Sequence, residues 1–450
     1  MKHRTVILGA GITGLAAACR LGRSALVLEK ENSVGGLCRT FRTRGFTFDT
    51  SGHVLYFRDD RIRSFVTQVL LKGDVTWHER RASVAIGGRR IPYPFQHHLR
   101  ALPERLRREC EDGLANRVSN AGEPRDFLEW TTRRFGDGIV RHFMLPFNEK
   151  LWRHRLDELD WDWARRLVPT VQPDESDSTT CGGDGVSHAG GRTRTRAACG
   201  RRTGDTPIGY NRRFAYPVKG GIGTLARAFA AHATGEIRTG TECVGIDLHG
   251  RIVRLRNGTS VKYDSLVSTL SLPALVMMAR PCPDSVKRSA IRLKTLSVCS
   301  ICYGLTHRVA SDNHWTYFPE PGVSFFRVVF PSEYSRNSTP EGCGSLCVEV
   351  SGLPESMPCS ERERAALLEK VRSGLVQVGL LGRREKPAVA RVVLIRNAYP
   401  IPTIGSRAAV EEIRAFLRRR GVVAAGRFGG WAHLGIEDCV LEGFRAAETE

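Results

Sequence analysis

Hydrophobic and polar residues at the start of the chain follow the order expected of a strand, a helix and a second strand. Residues 6–8 are apolar, residues 15–19 are small and mostly apolar, and residues 25–28 are again apolar, with a glycine-rich turn after the first run. Short apolar runs bounded by turns are typical of buried parallel strands, which need a helical crossover between them. The pattern therefore predicts a β-α-β unit at the N-terminus.

The pattern changes several times along the rest of the chain. Alternating apolar and polar positions indicate half-buried strands, whereas apolar residues three and four apart indicate amphipathic helices. In order, these signals predict a strand pair ending at residues 46–55, mainly helices over 60–170, strands with a hairpin over 236–270, an antiparallel sheet over 290–350, amphipathic helices over 360–381 and 408–420, and a strand over 422–425. The short apolar strand over 266–270 is predicted to return to the N-terminal sheet.

Residues 171–206 differ in composition from everything around them. No Leu, Ile, Phe, Tyr or Trp occurs between Val171 and Ile208, where Asp, Ser, Thr, Gly and Arg dominate. Such a segment buries too little apolar surface to offset the entropy cost of ordering it. We expect a disordered or mobile surface insertion, and the alternative is that its arginines clamp or cover an anionic ligand.

The charge balance narrows the class of partner. Lys and Arg number 68 against 47 Asp and Glu, which gives a net charge of +21. A basic chain can bind nucleic acid, but these arginines are spread along the whole sequence and form no patch with interleaved aromatic residues. We therefore favour a small anionic substrate, drawn in by the positive field, over nucleic acid.

Cysteine usage and hydropathy indicate a cytoplasmic location. No apolar run approaches the roughly 18 residues that a membrane span requires, and the N-terminus lacks the features of a signal peptide. The 13 cysteines are scattered. Cys299 and Cys302 lie three apart in an apolar run, where a strand would direct them to opposite faces. We interpret them as core residues and expect no metal site.

The glycine-rich turn carries a dinucleotide-binding motif. Gly9, Gly11 and Gly14 have the Gly-x-Gly-x-x-Gly spacing, and Glu29 follows the second apolar run. In this motif the glycines permit a tight turn, close approach of a pyrophosphate and close helix packing, while the acid accepts a hydrogen bond from a ribose hydroxyl. The helix N-terminus adds free N–H groups and the positive end of its dipole. The order of strand, helix, strand and acid predicts dinucleotide binding.

A second glycine pair indicates which dinucleotide is bound. Gly35 and Gly36 precede Arg39, and this arrangement after Glu29 resembles the flavoprotein extension shared by amine oxidases, protoporphyrinogen oxidases and UDP-galactopyranose mutases. The resemblance implies that FAD is the cofactor, that the glycines pass close to its phosphates and that Arg39 neutralises them.

The C-terminal residues carry the same resemblance. A Gly-rich turn begins at Gly426 and Arg427, and Glu437 and Asp438 lie near the first turn of a predicted helix. In the same families this segment closes over the ribityl chain and the isoalloxazine, which implies that all four residues belong to the FAD site. Val244 is also assigned to it.

These motifs together imply the fold class and its division along the chain. The expected fold is α/β, with a Rossmann-type FAD-binding domain of the glutathione-reductase-2-like kind, an antiparallel β substrate domain and a helical subdomain. The expected segments are 1–60 (FAD-binding, first part), 61–170 (helical and substrate-binding), 171–206 (insertion), 207–270 (FAD-binding, second part), 271–395 (antiparallel substrate sheet) and 396–450 (FAD-binding, C-terminal part).

The middle of the chain resembles UDP-galactopyranose mutases, the eukaryotic type more closely than the bacterial. Residues 91–98 contain a Pro-Tyr-Pro-Phe-Gln run that holds uridine in that family, which implies Tyr93, Phe95 and Gln96 as base contacts. Asn211 matches an asparagine beside the sugar. The alternatives are a proline-kinked turn with core aromatic residues, and an asparagine that only stabilises a turn.

A segment over residues 314–335 supplies the candidate diphosphate site. Trp315 and Tyr317 fall on alternate positions, as do Phe325 and Arg327, so that on adjacent strands they would share one face. Arginine offers a fork of donors with a permanent charge, which suits a diphosphate. The resemblance implies this role for Arg327 and the tyrosines, Tyr334 included. A sheet core with an edge arginine is the alternative.

Three further residues complete the candidate site. His53 lies in a Ser-Gly-His-Val segment that matches the one under the flavin in the mutases, near N5. Arg166 is close to the position of a second phosphate arginine but one residue short of the mutase register. His433 stands where the mutases carry a tyrosine that contacts the diphosphate. We assign Arg327, His53 and Arg166 as candidate catalytic residues and His433 as a substrate contact.

The resemblance to the mutases implies a specific function. We expect an FAD-dependent nucleotide-sugar mutase that interconverts the pyranose and furanose forms of a UDP-sugar such as UDP-galactose through a reduced-flavin N5 adduct, with NADPH or NADH as the reductant. Such an enzyme would act in cell wall polysaccharide biosynthesis. The alternative is an FAD-dependent oxidoreductase of the amine oxidase or protoporphyrinogen oxidase type.

Overall fold

The computed structural model describes residues 5–118, 122–169 and 212–448. The first range contains β1 (Thr5–Leu8), α1 (Ile12–Leu21), β2 (Ala25–Leu28), β3 (Thr40–Thr43), β4 (Phe46–Asp49), α2 (Asp60–Ser64), β5 (Val75–Glu79), β6 (Ala82–Ile86), β7 (Arg89–Pro92) and α3 (Glu104–Ala115). The second contains α4 (Phe127–Ile139), α5 (Leu145–Trp152) and α6 (Ala164–Leu167). The predicted insertion over 171–206 and the candidate residue Asn211 lie outside these described residues.

The third range runs from the middle of the chain to its C-terminal helix. Its elements are β8 (Arg213–Pro217), α7 (Gly223–His232), β9 (Glu236–Arg238), β10 (Cys243–Asp247), β11 (Ile252–Leu255), β12 (Ser260–Lys262), β13 (Ser265–Ser268), α8 (Leu272–Met278), β14 (Ala279–Arg280), α9 (Asp284–Arg292), β15 (Thr295–Leu305), β16 (Trp315–Tyr317), β17 (Arg327–Val329), β18 (Gly344–Gly352), α10 (Glu361–Gln377), β19 (Val389–Pro400), α11 (Ser406–Arg418), β20 (Val422–Ala424), α12 (Gly426–Gly429) and α13 (Ile436–Glu448).

A five-stranded parallel sheet forms the first layer, in the order β20-β13-β1-β2-β9. Ile7 and Val27 point to one face, where they pack against α1, α7 and α13. Val6 and Leu26 point to the other face, against α8, α9 and α11. Both faces are therefore covered, which explains the uninterrupted apolar character of β1 and β2. The predicted β-α-β unit and the returning strands over 266–270 and 422–425 are confirmed.

A seven-stranded sheet forms the second large layer, in the order β19-β15-β18-β17-β16-β6-β7. Its neighbours pair antiparallel except β16 and β6, which are parallel. One face packs against α10 through Phe325, Val348 and Leu375. The opposite face contributes Trp315 and Val329 to the core shared with α1. The predicted antiparallel sheet is confirmed, and its second face is the one turned toward the glycine-rich motif.

The structure differs in two details from the elements expected over 60–170 and after residue 271. The region over 60–170 is not mainly helical at its start, because β5, β6 and β7 occupy residues 75–92 and the last two extend the large sheet. The substrate sheet does not begin at residue 271, since Leu272 and Leu275 of α8 are buried with Val6 and Leu8 of the parallel sheet. Apolar helices that follow a parallel strand belong with that strand, and the large sheet consists of β15 to β19 together with β6 and β7.

Helices α3 to α6 form a separate layer with a core of aromatic residues such as Trp130 and Trp152. Glycines allow α3 and α4 to approach closely: a Cβ on Gly113 would lie 2.6 Å from the Gly138 nitrogen, and one on Gly138 would overlap the Glu109 carbonyl oxygen. Among the described residues, no helix is long and apolar enough to cross a membrane.

The close approach of α3 and α4 predicts a sensitive position. Gly138→Ala should destabilise the protein by about 1–3 kcal/mol, because the added methyl group meets backbone that can only move by separating the helices. Gly382→Ala is the control, since its Cβ would make ordinary contacts at 3.5 Å. Thermal unfolding of both variants measures the effect, and equal midpoints would contradict this account of the packing.

Candidate active site

The turn after β1 forms a cradle at the N-terminus of α1. Gly9 has a φ of +99°, which favours glycine, and a Cβ on Gly14 would overlap the Gly9 carbonyl oxygen. The Gly35 N–H donates to the Ala10 carbonyl at 2.8 Å, which brings the second glycine pair beside the turn. A Cβ on Gly11 would meet nothing within 4 Å. The cradle is thus open in front of the helix N-terminus, where a pyrophosphate would bind.

Glu29 is fixed at the carboxyl end of β2 and is 7% exposed. One carboxylate oxygen accepts from the Ala10 N–H at 2.8 Å and the other from the Glu31 N–H at 2.9 Å. Each oxygen keeps a further lone pair for a ribose hydroxyl. The Thr241 N–H donates to the Glu29 carbonyl at 2.8 Å, so the segment that leads to the exposed side chain of Val244 lies alongside.

Arg39 contributes an unsatisfied donor to the same region. Its Nε is buried and has no hydrogen-bond partner among the described residues, and its Nη1 lies 3.6 Å from a Glu31 oxygen. Buried polar groups without partners are rare in folded proteins. The open cradle, the fixed carboxylate and this buried guanidinium N–H fit FAD, with its phosphates at the turn and at Arg39 and its ribose at Glu29.

The C-terminal segment closes against the first helix. Gly426 has a φ of +78°, and a Cβ on it would lie 2.5 Å from the Thr13 Oγ1. The Arg427 guanidinium donates to the Leu434 carbonyl at 2.6 Å and to the Ala398 carbonyl at 3.2 Å. Arg427 thus ties α12 to the end of β19, and its side chain lies 5.2 Å from the Tyr399 ring centre.

The two acids at the start of α13 have protein partners. Glu437 is 5% exposed, and one of its oxygens accepts from the backbone N–H groups of Arg58 and Asp59 at 2.7 and 2.8 Å. Asp438 accepts from the Gly435 N–H at 2.9 Å and also contacts Arg58. These contacts anchor the segment before α2 and begin α13, so the structure gives both predicted cofactor residues an anchoring role.

The centre of the candidate site is Arg327. It lies directly opposite Tyr317 in the β16–β17 pair, so the two side chains share a face as predicted. Its Nε and Nη2 donate to one oxygen of Glu349 at 2.7 and 2.6 Å. Burial alone would lower the pKa of Arg327, but the Glu349 carboxylate raises it, so the guanidinium stays charged. The Trp315 indole N–H donates to the Tyr317 hydroxyl at 3.0 Å.

The prediction that Phe325 faces the site with Arg327 is wrong. β17 begins at Arg327, so the strand alternation does not extend back to Phe325. Phe325 is fully buried on the opposite face, with its ring centre 4.9 Å from that of Phe318 and its edge against Gly374 of α10. Phe326 takes the place beside the site, with its ring centre 6.0 Å from the Arg327 guanidinium carbon.

An aromatic box surrounds His433. The box consists of His433, Tyr399, Trp152 and Trp163: the imidazole stacks on Tyr399 at 4.9 Å and lies 5.9 and 6.1 Å from the two indoles. In the described part of the chain, three nitrogens of this box are buried without a partner, namely Trp152 Nε1, Trp163 Nε1 and His433 Nδ1. Such a group of unsatisfied donors and acceptors suits the hydroxyl groups of a bound ligand.

Both histidines of the site are neutral at ordinary pH. Burial, and to a smaller extent the charges of Arg427, Arg166 and Arg327, lower the pKa of His433 to about 3. Burial and the charges of Arg427 and Arg327 lower the pKa of His53 to about 3 as well. Burial and the same arginines therefore keep the imidazoles uncharged, and the arginines make the site cationic.

Arg166 and Tyr93 lie at the edges of the candidate site. The Arg166 Nη2 lies 3.3 Å from an Asp438 oxygen, which joins α6 to α13. The ring centre of Tyr93 lies 5.4 Å from that of Tyr317 and 4.9 Å from the guanidinium carbon of Arg80. Tyr93 is thus in contact with the wall that carries Arg327.

Three of the predicted substrate contacts lie in the core or beside it. Phe95 is fully buried and stacks on Phe143 at 4.9 Å, which leaves no surface for a ligand. Tyr334 is 4% exposed and packs edge-on against Tyr216 at 4.8 Å. The Gln96 amide donates to the Pro169 carbonyl, while its Oε1 is buried without a partner within the described ranges. Only Gln96 of these three offers an unsatisfied polar atom.

Two residues of the site, Glu349 and Tyr399, were not predicted from the sequence. Glu349 is the single acid in the buried strand β18, and a lone charge among apolar residues was the available signal. Tyr399 ends a long strand and carries no local motif. Trp152 and Trp163 carry no local motif either, and only the fold shows that their indoles meet His433.

Comparison with known proteins assigns the chain to a family. The model of the flavin containing amine oxidoreductases matches residues 12–449. The chain belongs to this family. It is therefore a flavin-dependent enzyme of the amine oxidase superfamily, and FAD is the cofactor that its glycine-rich cradle fits.

The solved structures that are similar to this chain include both a mutase and a candidate oxidase. A crystal structure of reduced UDP-galactopyranose mutase superposes with a TM-score of 0.85 at 26% identity, covering 99% of this chain and 95% of that one. A candidate protoporphyrinogen oxidase from Exiguobacterium sp. 255-15 superposes with a TM-score of 0.72 at 18% identity, covering 100% and 98%. The predicted resemblance to both kinds of flavoprotein and the predicted fold class are confirmed.

Sequence relatives are mostly oxidoreductases. Coproporphyrinogen III oxidase of Propionibacterium freudenreichii is 24% identical over 98% of this chain and 90% of its own length. The all-trans-retinol 13,14-reductase of Rattus norvegicus is 38% identical over 80 residues, which are 17% of this chain and 13% of that protein. The chain thus matches only about an eighth of the length of these reductases.

The open space at Gly11 predicts a selective loss of the cofactor. Gly11→Val should abolish the flavin absorbance of the purified protein while leaving its circular dichroism intact, because the side chain enters the pyrophosphate cradle. Gly14→Val should instead lose fold and flavin together, since its Cβ meets backbone. A Gly11→Val protein that retains a full complement of FAD would contradict this assignment.

The low pKa of His433 predicts a pH-dependent stability. Between pH 6.5 and about 3 the unfolded chain protonates this histidine and the folded chain does not, so stability falls as the pH falls through that window. His433→Gln should therefore make the slope shallower by about 1.4 kcal/mol per pH unit. Urea unfolding between pH 6 and 4.5 measures it, with the exposed His249→Gln as control, and parallel slopes for wild type and His433→Gln would refute the burial argument.

Proposed function

We propose that this enzyme is a nucleotide-sugar mutase that interconverts the pyranose and furanose forms of a UDP-sugar such as UDP-galactose. The observation that carries the proposal is that the site has a charged side, formed by Arg327 and Tyr317, and an uncharged side, formed by the aromatic box. Arg327 provides a fixed positive charge beside Tyr317, which suits a diphosphate. The aromatic box provides neutral rings with unsatisfied nitrogens on the partly exposed Trp163 and His433, which suits a sugar.

Two further observations support a nucleotide sugar. The overall likeness to reduced UDP-galactopyranose mutase extends over nearly the whole of both chains at 26% identity. Tyr93 and Gln96 lie in the run that matches the uridine-binding segment of that family, and the Gln96 Oε1 is buried without a partner in the described residues. An amide can pair with both a donor and an acceptor of uracil.

The proposed reaction has no net oxidation or reduction, so the cofactor must regain by the end of each turnover any electrons that it donates. When bound and reduced, FAD supplies a nucleophilic nitrogen, N5, for chemistry at the anomeric carbon. The protein residues stabilise charge, orient the sugar and exclude water. Arg327 stabilises the charge that develops on the departing diphosphate, and Arg166, once released from Asp438, would add a second charge.

The remaining residues orient the sugar and exclude water. The indole N–H of the partly exposed Trp163 donates to a sugar hydroxyl, the buried Trp152 supports the box from the core, and the neutral His433 can accept or donate at Nδ1. His53 lies among the same charges, with its Nδ1 3.1 Å from the Ser51 carbonyl oxygen. Because both imidazoles are neutral, neither supplies a proton at neutral pH, and the arginines supply the electrostatic stabilisation.

A second candidate function is the oxidation of a substrate such as a porphyrinogen. The full-length relationship to coproporphyrinogen III oxidase at 24% identity favours it. An oxidase transfers electrons from its substrate to oxygen, whereas a mutase consumes neither oxygen nor reductant once its flavin is reduced. The two functions therefore differ in electron balance, and this difference can be measured directly.

The experiment that tests the proposal follows product and electrons together. The protein is reduced with dithionite under nitrogen and given UDP-galactose, and the nucleotide sugars are separated by chromatography. We expect a new furanose peak without stoichiometric use of reductant, and no product from the oxidised protein. Hydrogen peroxide formation coupled to a porphyrinogen or an amine, without a furanose product, would overturn the proposal in favour of the oxidase.

Arg327 offers the sharpest variant test of the diphosphate site. Arg327→Lys keeps the charge beside Glu349 but loses the two-pronged donor, so UDP affinity should fall by about 10-fold, the value of one charge-assisted hydrogen bond of roughly 1.5 kcal/mol. Arg327→Ala is less informative, because an unpaired buried carboxylate would itself cost about 3–5 kcal/mol.

The control is Arg372→Lys on α10, behind the sheet, where the arginine pairs with Glu369. It should bind UDP as wild type does, and FAD content should be equal in all three proteins. Calorimetric titration measures the affinities. The same UDP affinity in Arg327→Lys and wild type would remove Arg327 from the site.

A further inference from the structure

Glu349 is a buried acid for which the proposed function has no role. It lies in the middle of β18, 1% exposed, between the buried residues Val348 and Val350. An ionised carboxylate at such a position is costly unless hydrogen bonds and an opposite charge satisfy it. The hydrogen-bond partners of the Glu349 carboxylate therefore decide whether its charge is stabilised.

The two carboxylate oxygens of Glu349 accept hydrogen bonds from two different segments of the chain. One oxygen accepts from Arg327 Nε and Nη2 at 2.7 and 2.6 Å. The other accepts from the Ser51 hydroxyl at 2.8 Å and from the Gly52 backbone N–H at 3.1 Å. A single side chain thus joins strand β17 to the segment that leads into His53.

The joined segment belongs to the cofactor side of the site. Thr50 donates through its hydroxyl to the Leu37 carbonyl at 2.6 Å and through its N–H to the Arg39 carbonyl at 3.0 Å. Residues 51–53 therefore follow a residue that is hydrogen-bonded to the loop that carries Gly35, Gly36 and Arg39. The segment also lies close on the sheet, since a Cβ on Gly52 would be 2.8 Å from Val329.

We propose that Glu349 is a positioning residue that fixes the substrate-binding Arg327 and the cofactor-side segment 51–53 as one unit. The part of this inference that concerns the ligand of Arg327 rests on the proposed function. All contacts of Arg327 with Glu349 use Nε and Nη2, which leaves Nη1 for a ligand. Because the guanidinium is planar and rigid, holding one edge determines the direction of the other.

The carboxylate is needed in this role because it accepts on both sides. An amide at this position could accept at its oxygen only, and its NH₂ group would face donors either at Arg327 or at Ser51 and Gly52. One of the two segments must then move. Glu349→Gln therefore separates the joining role from side-chain size, which the amide retains.

The test compares Glu349→Gln with Val348→Ala, both as FAD-loaded full-length proteins. Val348 is fully buried on the other face of the same strand, so its truncation weakens β18 without touching the site. In Glu349→Gln we expect UDP affinity to fall by about 10-fold, the loss of one oriented charge-assisted hydrogen bond. We also expect the visible absorption band of the bound flavin to shift, because segment 51–53 moves.

Val348→Ala should lower the unfolding temperature but keep wild-type UDP affinity and flavin spectrum. If Glu349→Gln also keeps both, Glu349 only stabilises the fold and the proposal is overturned. If Glu349→Gln does not fold, Ser51→Ala takes its place, because it removes one donor and leaves the ion pair. A wild-type flavin band in Ser51→Ala would then overturn the proposal.

This design separates the inference from the proposed function. If the wild-type protein does not bind UDP, the nucleotide-sugar proposal fails. The comparison of flavin spectra between Glu349→Gln and Val348→Ala still tests whether Glu349 positions the cofactor-side segment. A shifted band in the first and not in the second supports the positioning role, and matching wild-type bands refute it.

Discussion

One buried ion pair, between Arg327 and Glu349, connects the two halves of the site. Burying both charges is unfavourable, and their attraction offsets that cost only when the remaining hydrogen-bonding capacity is also used. Here the Ser51 hydroxyl and the Gly52 N–H use it, so the pair is stable only where segment 51–53 lies on the large sheet. The relative position of the cofactor layer and the substrate sheet is therefore linked to the orientation of one arginine.

A cluster of arginines also influences the charge state of the other residues of the site. Arg427 is held by backbone carbonyls, Arg166 by Asp438 and Arg327 by Glu349, so three guanidinium groups lie around the two histidines. With burial, these charges keep His53 and His433 neutral. The result is a cationic wall against neutral aromatic rings, which matches a ligand with a charged and a polar uncharged part.

The sequence predicted most of the fold because its strongest signals are local. The Gly9–Gly14 turn and the apolar runs around it specify a β-α-β unit without reference to the rest of the chain, and Tyr317 and Arg327 lie opposite one another as their spacing indicated. Phe95 and Phe325 were misplaced because core and ligand-facing aromatic residues look alike in sequence. Glu349 was missed because its importance depends on partners more than 20 and nearly 300 positions away.

The most direct test of the account is a crystal structure of the FAD-loaded protein with UDP bound. The account predicts the diphosphate within hydrogen-bonding distance of Arg327 Nη1, the uracil beside Tyr93 and Gln96, and the Arg327–Glu349 pair intact. It also predicts that the sugar lies against the aromatic box around His433. Diphosphate density away from Arg327, or an Arg327 turned away from Glu349 to reach the ligand, would contradict the central claim that this ion pair organises the site.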